Sequence, residues 1–409
     1  MLEYLKGKKI LIGVSGGIAA YKVCEIIREL IRSGAYCRVV MTEAATKFIT
    51  PLTLETLSAA PVLCELFPES AHAEVIHIEA ARWPDIILLC PATANLIGKL
   101  AHGIADNLLT CICMATKVPI LICPAMNSQM FLNPIVQDNL KKLRQFNYSF
   151  VMPGVGNLAC HEAGAGRLAE KEEIIKGIFQ VLYQTDRLSG IKILITAGRT
   201  EENLDPVRFL TNRSSGKMGV ALAEVAALNG AKVTLISGPG NLKISSDISL
   251  IQIRSAQEMA DQVFQVSSAQ QIIIMAAAVA DFRPKNISPI KIKKRSNGLQ
   301  IEFERTIDIL ATLGTQKENR ILVGFALETD NQRKNAIQKL KAKNLDLIVL
   351  NDPNVAGAGF DTDTNQVTLI DKNENIEEIL LMSKYKVAEK IIDKIIEIMK
   401  SSKITATGT

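Results

Sequence analysis

Glycine, serine and asparagine recur in this chain at positions suited to an anion or a flat polar ring. Gly13-Val14-Ser15-Gly16-Gly17 directly follows the apolar run Ile10-Leu11-Ile12. A glycine-bearing loop between a strand and a helix turns backbone N–H groups toward a ligand at the positive end of the helix. The spacing is not G-x-G-x-x-G, because serine stands where the second glycine would. The next strand ends in Met41-Thr42, with no acid to hold a ribose 2′-hydroxyl. Gly13, Ser15, Gly16 and Thr42 therefore suit a terminal phosphate monoester, as in FMN, better than NAD; a tight structural turn is the plainer alternative.

Two further loops, Cys90-Pro91-Ala92-Thr93-Ala94-Asn95 and Cys123-Pro124-Ala125-Met126-Asn127, each leave an apolar strand at its carboxyl end. That is the ligand edge of a doubly wound sheet. Small residues there admit a flat ring, and the asparagines can hydrogen-bond the ring or a carboxylate. His77 lies between apolar neighbours, where a histidine is most often a packing residue but can serve as an acid or base. Cys160 sits in a glycine-rich loop beside His161, which could lower its thiol pKa.

The strand and glycine loop then begin again at Ile193-Leu194-Ile195-Thr196-Ala197-Gly198. A polar insertion holding Arg208, Asn212, Ser214 and Ser215 separates this loop from the next helix. Gly216-Lys217 lacks the upstream glycine and following hydroxyl of a Walker A loop. Asp281 follows the strand near 271–276, at the edge where a nucleotide or Mg²⁺ would bind. In Lys291-Ile292-Lys293, alternation predicts two cations on one face of a strand, fit for a triphosphate. Lys339 and Lys343 are four apart, on one helical face. Solvated surface is the plainer reading of each basic group.

These groups need two sets of elements to hold them. Continuous apolar strands near 9–14, 36–41, 86–90 and 118–123 alternate with helical patterns such as 17–33. The pattern resumes with strands near 191–196, 231–236, 271–276, 321–325 and 345–350, and helices near 216–229, 256–266, 332–343 and 383–399. Buried parallel strands covered by helices predict an α/β class with two doubly wound, mostly parallel sheets. The 409 residues also exceed one ordinary core. The expected domains are 1–188 and 189–400, with a loose tail at 401–409.

A net charge of +5 is too small for a nucleic-acid footprint, and the apolar run at 272–280 is too short to span a bilayer. All eight cysteines lie in the first half without a C-x-x-C pair, which predicts free thiols in a reducing cytoplasm and no zinc site. The charged helix that follows Gly17 argues against a signal peptide.

Residues 8–170 resemble the flavin-dependent cysteine decarboxylases, in particular those acting on phosphopantothenoylcysteine. The resemblance is carried by Gly13 to Lys22, His77-Ile78-Glu79, Pro91 to Asn95, Pro124 to Asn127 and the Cys160 loop. It implies a flavodoxin-like domain that binds FMN through Gly13, Ser15, Gly16, Thr42, Pro91, Ala92, Thr93 and Asn95. The substrate's cysteinyl thiol would be oxidised to a thioaldehyde, which drains the electrons of the departing carboxylate. His77 would act as base or orienter, Asn127 would hold the carboxylate, Met130 would touch substrate and Cys160 would donate a proton. Relatives usually carry glycine where His161 stands.

Residues 190–395 resemble phosphopantothenate–cysteine ligases, through Asp205 to Arg208, Asn212 to Gly219, Ala277 to Asp281, Lys291 to Lys294, Gly324 to Ala326 and Lys343 to Asp346. The resemblance implies a Rossmann-like domain in which CTP and Mg²⁺ activate 4′-phosphopantothenate as an acyl-cytidylate for attack by cysteine. Lys291 would neutralise phosphate charge, and Asn212 and Arg208 would hold the acyl intermediate. Asp281 would serve nucleotide and metal, with Phe325, Lys339, Lys343 and the segment Thr306-Ile307-Asp308-Ile309 around the nucleotide. Relatives often read Asn-Pro-Asp-Ile in that segment. The whole chain thus resembles bacterial bifunctional enzymes of coenzyme A synthesis, with homo-oligomers, flavin sites between subunits, small-molecule substrates and no nucleic-acid or membrane partner implied. A non-catalytic regulatory subunit and a peptide cysteine decarboxylase are the alternatives. The joint presence of His77, Asn127 and Cys160 disfavours the first, and the ligase-like half disfavours the second.

Overall fold

Strands whose two faces are both apolar can only be satisfied by helices on both sides, and both halves of the chain adopt that solution. The computed structural model describes residues 2–67, 76–157, 163–240, 244, 247–293, 299–328, 330–351, 357, 359 and 362–402. Its contacts divide the chain into two units, Met1–Gln184 and Thr185–Thr409.

In the first unit, β1 (Lys9–Val14), β2 (Tyr36–Met41), β3 (Ile86–Ala92), β4 (Ile120–Pro124) and β5 (Ser149–Phe150) form a parallel sheet in the order β2-β1-β3-β4-β5. Every residue of β3, its central strand, is buried. The order reverses between β1 and β3, which makes their carboxyl ends the switch point where such sheets bind ligands. A separate hairpin, β6 (Gly154–Asn157) with β7 (Ala163–Arg167), flanks residues 158–162. Cys160 and His161 lie in that interval, outside the described residues.

The helix expected at 17–33 is divided. Ile18–Lys22 is a 3₁₀ turn, and the α-helix runs over Val23–Arg32. The tighter turn sits on the ligand loop, whereas the α-helix buries Val23, Ile26, Ile27 and Leu30 on one face. Each such side chain contributes about 1.5–3 kcal/mol by leaving water.

The second unit contains β8 (Lys192–Ala197), β9 (Glu201–Asn203), β10 (Phe209–Thr211), β11 (Lys232–Ser237), β12 (Ser249–Gln252), β13 (Ile272–Met275), β14 (Phe282–Pro284), β15 (Phe303–Arg305), β16 (Ile321–Leu327), β17 (Leu347–Asn351), β18 (Thr364–Asp371) and β19 (Ile376–Ser383). Eight of them form one sheet in the order β12-β11-β8-β13-β16-β17-β18-β19. The first six are parallel in the Rossmann order, and β18 and β19 extend the sheet antiparallel. The remaining strands make two arms, β9–β10 and β14–β15, which leave the sheet just after β8 and β13 at the switch point. The closing helix Lys384–Ser401 buries an isoleucine-rich face and packs on the helix Lys217–Leu228. Among the described residues no helix is long and apolar enough to cross a membrane.

Candidate functional sites

The carboxyl ends of β1, β3 and β4 open into a cavity of about 1000 Å³, lined by Ser15, Gly16, Thr42, Thr93, Asn95, Asn127 and Met130 among others. Helix starts ring it. Thr42, Thr93 and Asn127 cap the helices Glu43–Thr46, Ala94–Ala101 and Ser128–Leu132, accepting from the N–H groups of Ala45, Leu96 and Gln129. N-capping residues are thus also the cavity's polar lining. Because the Asn127 side-chain oxygen serves as cap, the donor end of its amide is the end suited to a carboxylate.

Ser15 has a different role from the one its sequence position suggests. It is buried, and its hydroxyl donates to the Pro91 carbonyl at 2.7 Å while accepting from the Thr93 N–H at 2.9 Å. A hydroxyl has one proton, so Ser15 ties the first ligand loop to the second and has none left for a phosphate in this arrangement. Backbone N–H groups and Gly16 remain for the anion. Gly16 backs onto Ala44, whose Cβ is 2.5 Å from the point where a side chain would begin. Ser15→Ala should cost about 1–3 kcal/mol, because the part-buried Thr93 N–H loses its acceptor while the Pro91 carbonyl keeps only the Ser15 N–H. A lowered urea midpoint together with weakened flavin retention checks this.

Gly13, Pro91 and Ala92 are buried strand residues behind this lining. His77 is half-buried in the helix Ile76–Arg82 and does not line the cavity. Residues given no site role from sequence also face the cavity: Tyr21, Lys22, Lys99, Asp106, Asn107 and Arg167. Asn107 had a legible signal, since Asn107 and Thr110 form a reciprocal cap on Leu108–Ala115. Lys99 and Asp106 pair at 2.7 Å, and the hydrogen bond from Lys99 holds the Asp106 carboxyl below its ordinary range. That pair joins residues seven apart across a turn, which periodicity does not reveal.

The described thiols outside the Cys160 loop are free, and burial pushes those of Cys37 and Cys113 up to about 12. They are packing residues, not nucleophiles.

In the second unit the loops after β8 and β13 are laced together. The Ala278 N–H donates to the Gly198 carbonyl, and the Ala280 N–H donates to the Thr200 hydroxyl. Asn212 donates to the Val279 carbonyl at 3.0 Å. Thr306 donates its hydroxyl to the Ala280 carbonyl and its N–H to the Asp281 carbonyl. Asn212, Asp281 and Thr306 therefore meet at one loop. Asp281 is exposed, and no group of three potential metal ligands occurs among the described residues. A lone carboxylate of this kind suits a Mg²⁺ that arrives on nucleotide phosphates.

Lys343 pairs with Asp308 at 2.8 Å, and Lys339 pairs with Glu328 at the end of β16, the strand that carries half-buried Phe325. Burial opposes the charge on Asp308, but the hydrogen bonds from Lys343 and Ala311 outweigh it and lower its pKa. With a depressed folded pKa, the stabilisation is complete above the ordinary carboxylate pKa of about 4 and is lost as pH falls through the lower folded value. The difference in urea midpoint between the native chain and Asp308→Asn should therefore be largest at neutral pH and shrink in acid.

Two expectations are corrected here. Lys291 and Lys293 do not lie on a strand: the Ile292 N–H and carbonyl between them are taken by Asp205 and Arg208, so no ladder can form. Ile309 is buried in the hydrophobic core, so its side chain packs there rather than against a nucleotide, while Ile307 is exposed. Arg208 commits Nη1 to the Asp205 carboxylate and the Ile292 carbonyl, which makes that nitrogen a tie between loops.

Comparison with known proteins gives two family matches. Residues 2–183 match the Flavoprotein family, and residues 188–399 match the DNA/pantothenate metabolism flavoprotein C-terminal domain family. The coenzyme A biosynthesis bifunctional protein CoaBC of Bacillus subtilis (strain 168) is 45% identical over 401 residues, covering 97% of this chain and 99% of that protein. The protein of the same name from Vibrio cholerae serotype O1 (strain ATCC 39315 / El Tor Inaba N16961) is also 45% identical, covering 97% of this chain and all of its own length. Among solved structures, the C-terminal domain of a CoaBC protein aligns with a TM-score of 0.47 and 42% identity, over 53% of this chain and 100% of that one. With near-identical length and 45% identity from end to end, the chain belongs to the family of bifunctional coenzyme A biosynthesis proteins.

Proposed function

We propose that the chain carries out two consecutive steps: CTP-dependent ligation of 4′-phosphopantothenate with cysteine in the second unit, then FMN-dependent decarboxylation of the product to 4′-phosphopantetheine in the first. The observation that carries this reading is one ligand edge in each of two units, each unit matching a different family. The flavin cavity is roomy and ringed by helix starts, which fits FMN together with part of a substrate.

Backbone N–H groups around Gly16 would receive the flavin phosphate, and Thr42, Thr93 and Asn95 would position the rest. When bound, FMN would supply the two-electron redox chemistry that makes the substrate carboxylate a leaving group. Asn127 would orient that carboxylate, Met130 would exclude water beside it, and Cys160 would deliver the proton that completes the product. His77 stands off this chain's own cavity, which accords with a homo-oligomer in which a neighbouring subunit brings it to the flavin.

In the second unit Lys291 would neutralise charge on the nucleotide phosphates as pyrophosphate leaves. Lys339 and Lys343 would exchange Glu328 and Asp308 for phosphate oxygens. Asn212 would hold the acyl group beside the switch loop, and Asp281 would help hold a Mg²⁺ that supplies charge neutralisation to the phosphates. The cytoplasm is the compartment in which these reduced thiols and substrates coexist.

The test supplies 4′-phosphopantothenate, cysteine, CTP and Mg²⁺ to the full chain and follows pyrophosphate and CO₂. Both should appear in equal amounts. Absence of pyrophosphate rejects the ligase assignment, and pyrophosphate without CO₂ rejects the decarboxylase assignment.

A further inference from the structure

The turn of the β9–β10 arm and the excursion between β14 and β15 are joined at one buried carboxylate. The Asp205 side chain is fully buried. Its Oδ1 accepts from the Val207 and Arg208 N–H groups, both at 2.8 Å. Its Oδ2 accepts from the Ile292 N–H at 3.0 Å and from Arg208 Nη1 at 3.0 Å. Arg208 Nη1 also donates to the Ile292 carbonyl at 2.9 Å. Residue 292 is therefore gripped by both of its backbone polar groups, by two side chains from the other arm. Burial works against the charge on Asp205, but the donors of Ile292, Val207 and Arg208 hold its carboxyl below the ordinary range.

We propose that Asp205, with Arg208, is a positioning residue that fixes the backbone on which Lys291 is presented to the nucleotide. The inference rests on the reading of Lys291 given above. A lysine has a long, freely rotating stem, so its reach is set by where its backbone is anchored. Lys291 and Lys293 are both exposed, and the grip on Ile292 anchors the chain between them. No regular ladder holds residues 291–293, which gives this grip the task a strand would otherwise perform.

Asp205→Asn tests the arrangement at nearly constant volume. Whichever way the amide turns, its NH₂ group faces donors that already point at it, so two bonds are replaced by repulsion. Pyrophosphate release is measured on the full chain with 4′-phosphopantothenate, CTP and Mg²⁺ for Asp205→Asn, Lys291→Gln and the double variant. Misplacement of Lys291 should slow Asp205→Asn about 10- to 100-fold. The double variant should then match Lys291→Gln alone to within about a factor of two, because the carboxylate acts only through the lysine. Hydrogen exchange supplies an independent readout: the Ile292 amide should exchange faster in Asp205→Asn, with the β8 amides still protected. A double variant slowed by the product of the single effects, or lost protection in β8, would show a general structural role and overturn the proposal. A Lys291→Gln chain at the native rate would instead overturn the reading of Lys291 on which it rests.

Discussion

Gly238→Ala is expected to abolish ligation while leaving decarboxylation of supplied 4′-phosphopantothenoylcysteine intact. Gly238 follows β11 and faces the turn after β8, where a methyl group would begin 1.7 Å from the Arg199 carbonyl oxygen and 2.7 Å from its carbon. Both obstacles are backbone, so no rotamer change relieves them. The Gly198–Thr200 turn must move, and overpacking of this kind costs about 1–3 kcal/mol or more. The displacement has a defined route. Gly198 and Thr200 hold Ala278 and Ala280, whose neighbours Val279 and Asp281 receive Asn212 and Thr306. A shift near 1 Å in a reacting geometry slows chemistry by about a hundredfold. Pyrophosphate release should fall by at least that factor, and CO₂ release from the supplied intermediate should not change. A ligase rate within a few-fold of native would show that the turn is not coupled to the site.

The second large effect falls in the first unit. Gly166 lies in β7 with φ of +139°, a backbone region that L side chains rarely adopt. A Cβ there would sit 2.3 Å from the Met126 carbonyl oxygen, and Gly166 in turn accepts from the Met126 N–H at 3.0 Å. The hairpin that flanks the Cys160 interval is thus seated directly on the Met126-Asn127 loop. Gly166→Ala should lift the hairpin from that loop and separate the groups assigned to carboxylate binding and proton delivery. The loop around Gly16 lies on β1 and is not part of that contact. The variant should therefore purify yellow, with decarboxylation reduced by about a hundredfold or more and ligation unchanged. Loss of flavin in the same variant would mean that the hairpin also supports the phosphate loop; an unchanged CO₂ rate would refute the seating argument.

The loops that line both ligand edges were legible because each follows a continuous apolar strand, and strand ends in a doubly wound sheet converge at the switch point. Thr93, Asn95, Asn127 and Asp281 could be placed at an edge from such runs alone. The second helix set was equally readable, since segments such as Lys384–Ser401 repeat isoleucine at helical spacing. The β18–β19 extension was not. β19 reads Ile-Glu-Glu-Ile-Leu-Leu-Met-Ser and leaves most of its residues exposed, so neither alternation nor a continuous apolar run marks it. An edge strand needs only one buried neighbour, and its pattern is correspondingly weak.

What the sequence by itself determined is the α/β class, the division into two sheets, and which loops reach a ligand edge. These follow from local periodicity and from the fixed chirality of strand–helix–strand units. What only the tertiary structure decided is the bonding state of individual side chains at those edges. Ser15 spends its proton on Pro91, 76 residues away; Asp205 spends a lone pair on Ile292, 87 residues away; Ile309 turns into the core. A hydroxyl or carboxylate is chemically the same residue whether it faces a ligand or another loop, and its partner is chosen by contacts distant in sequence.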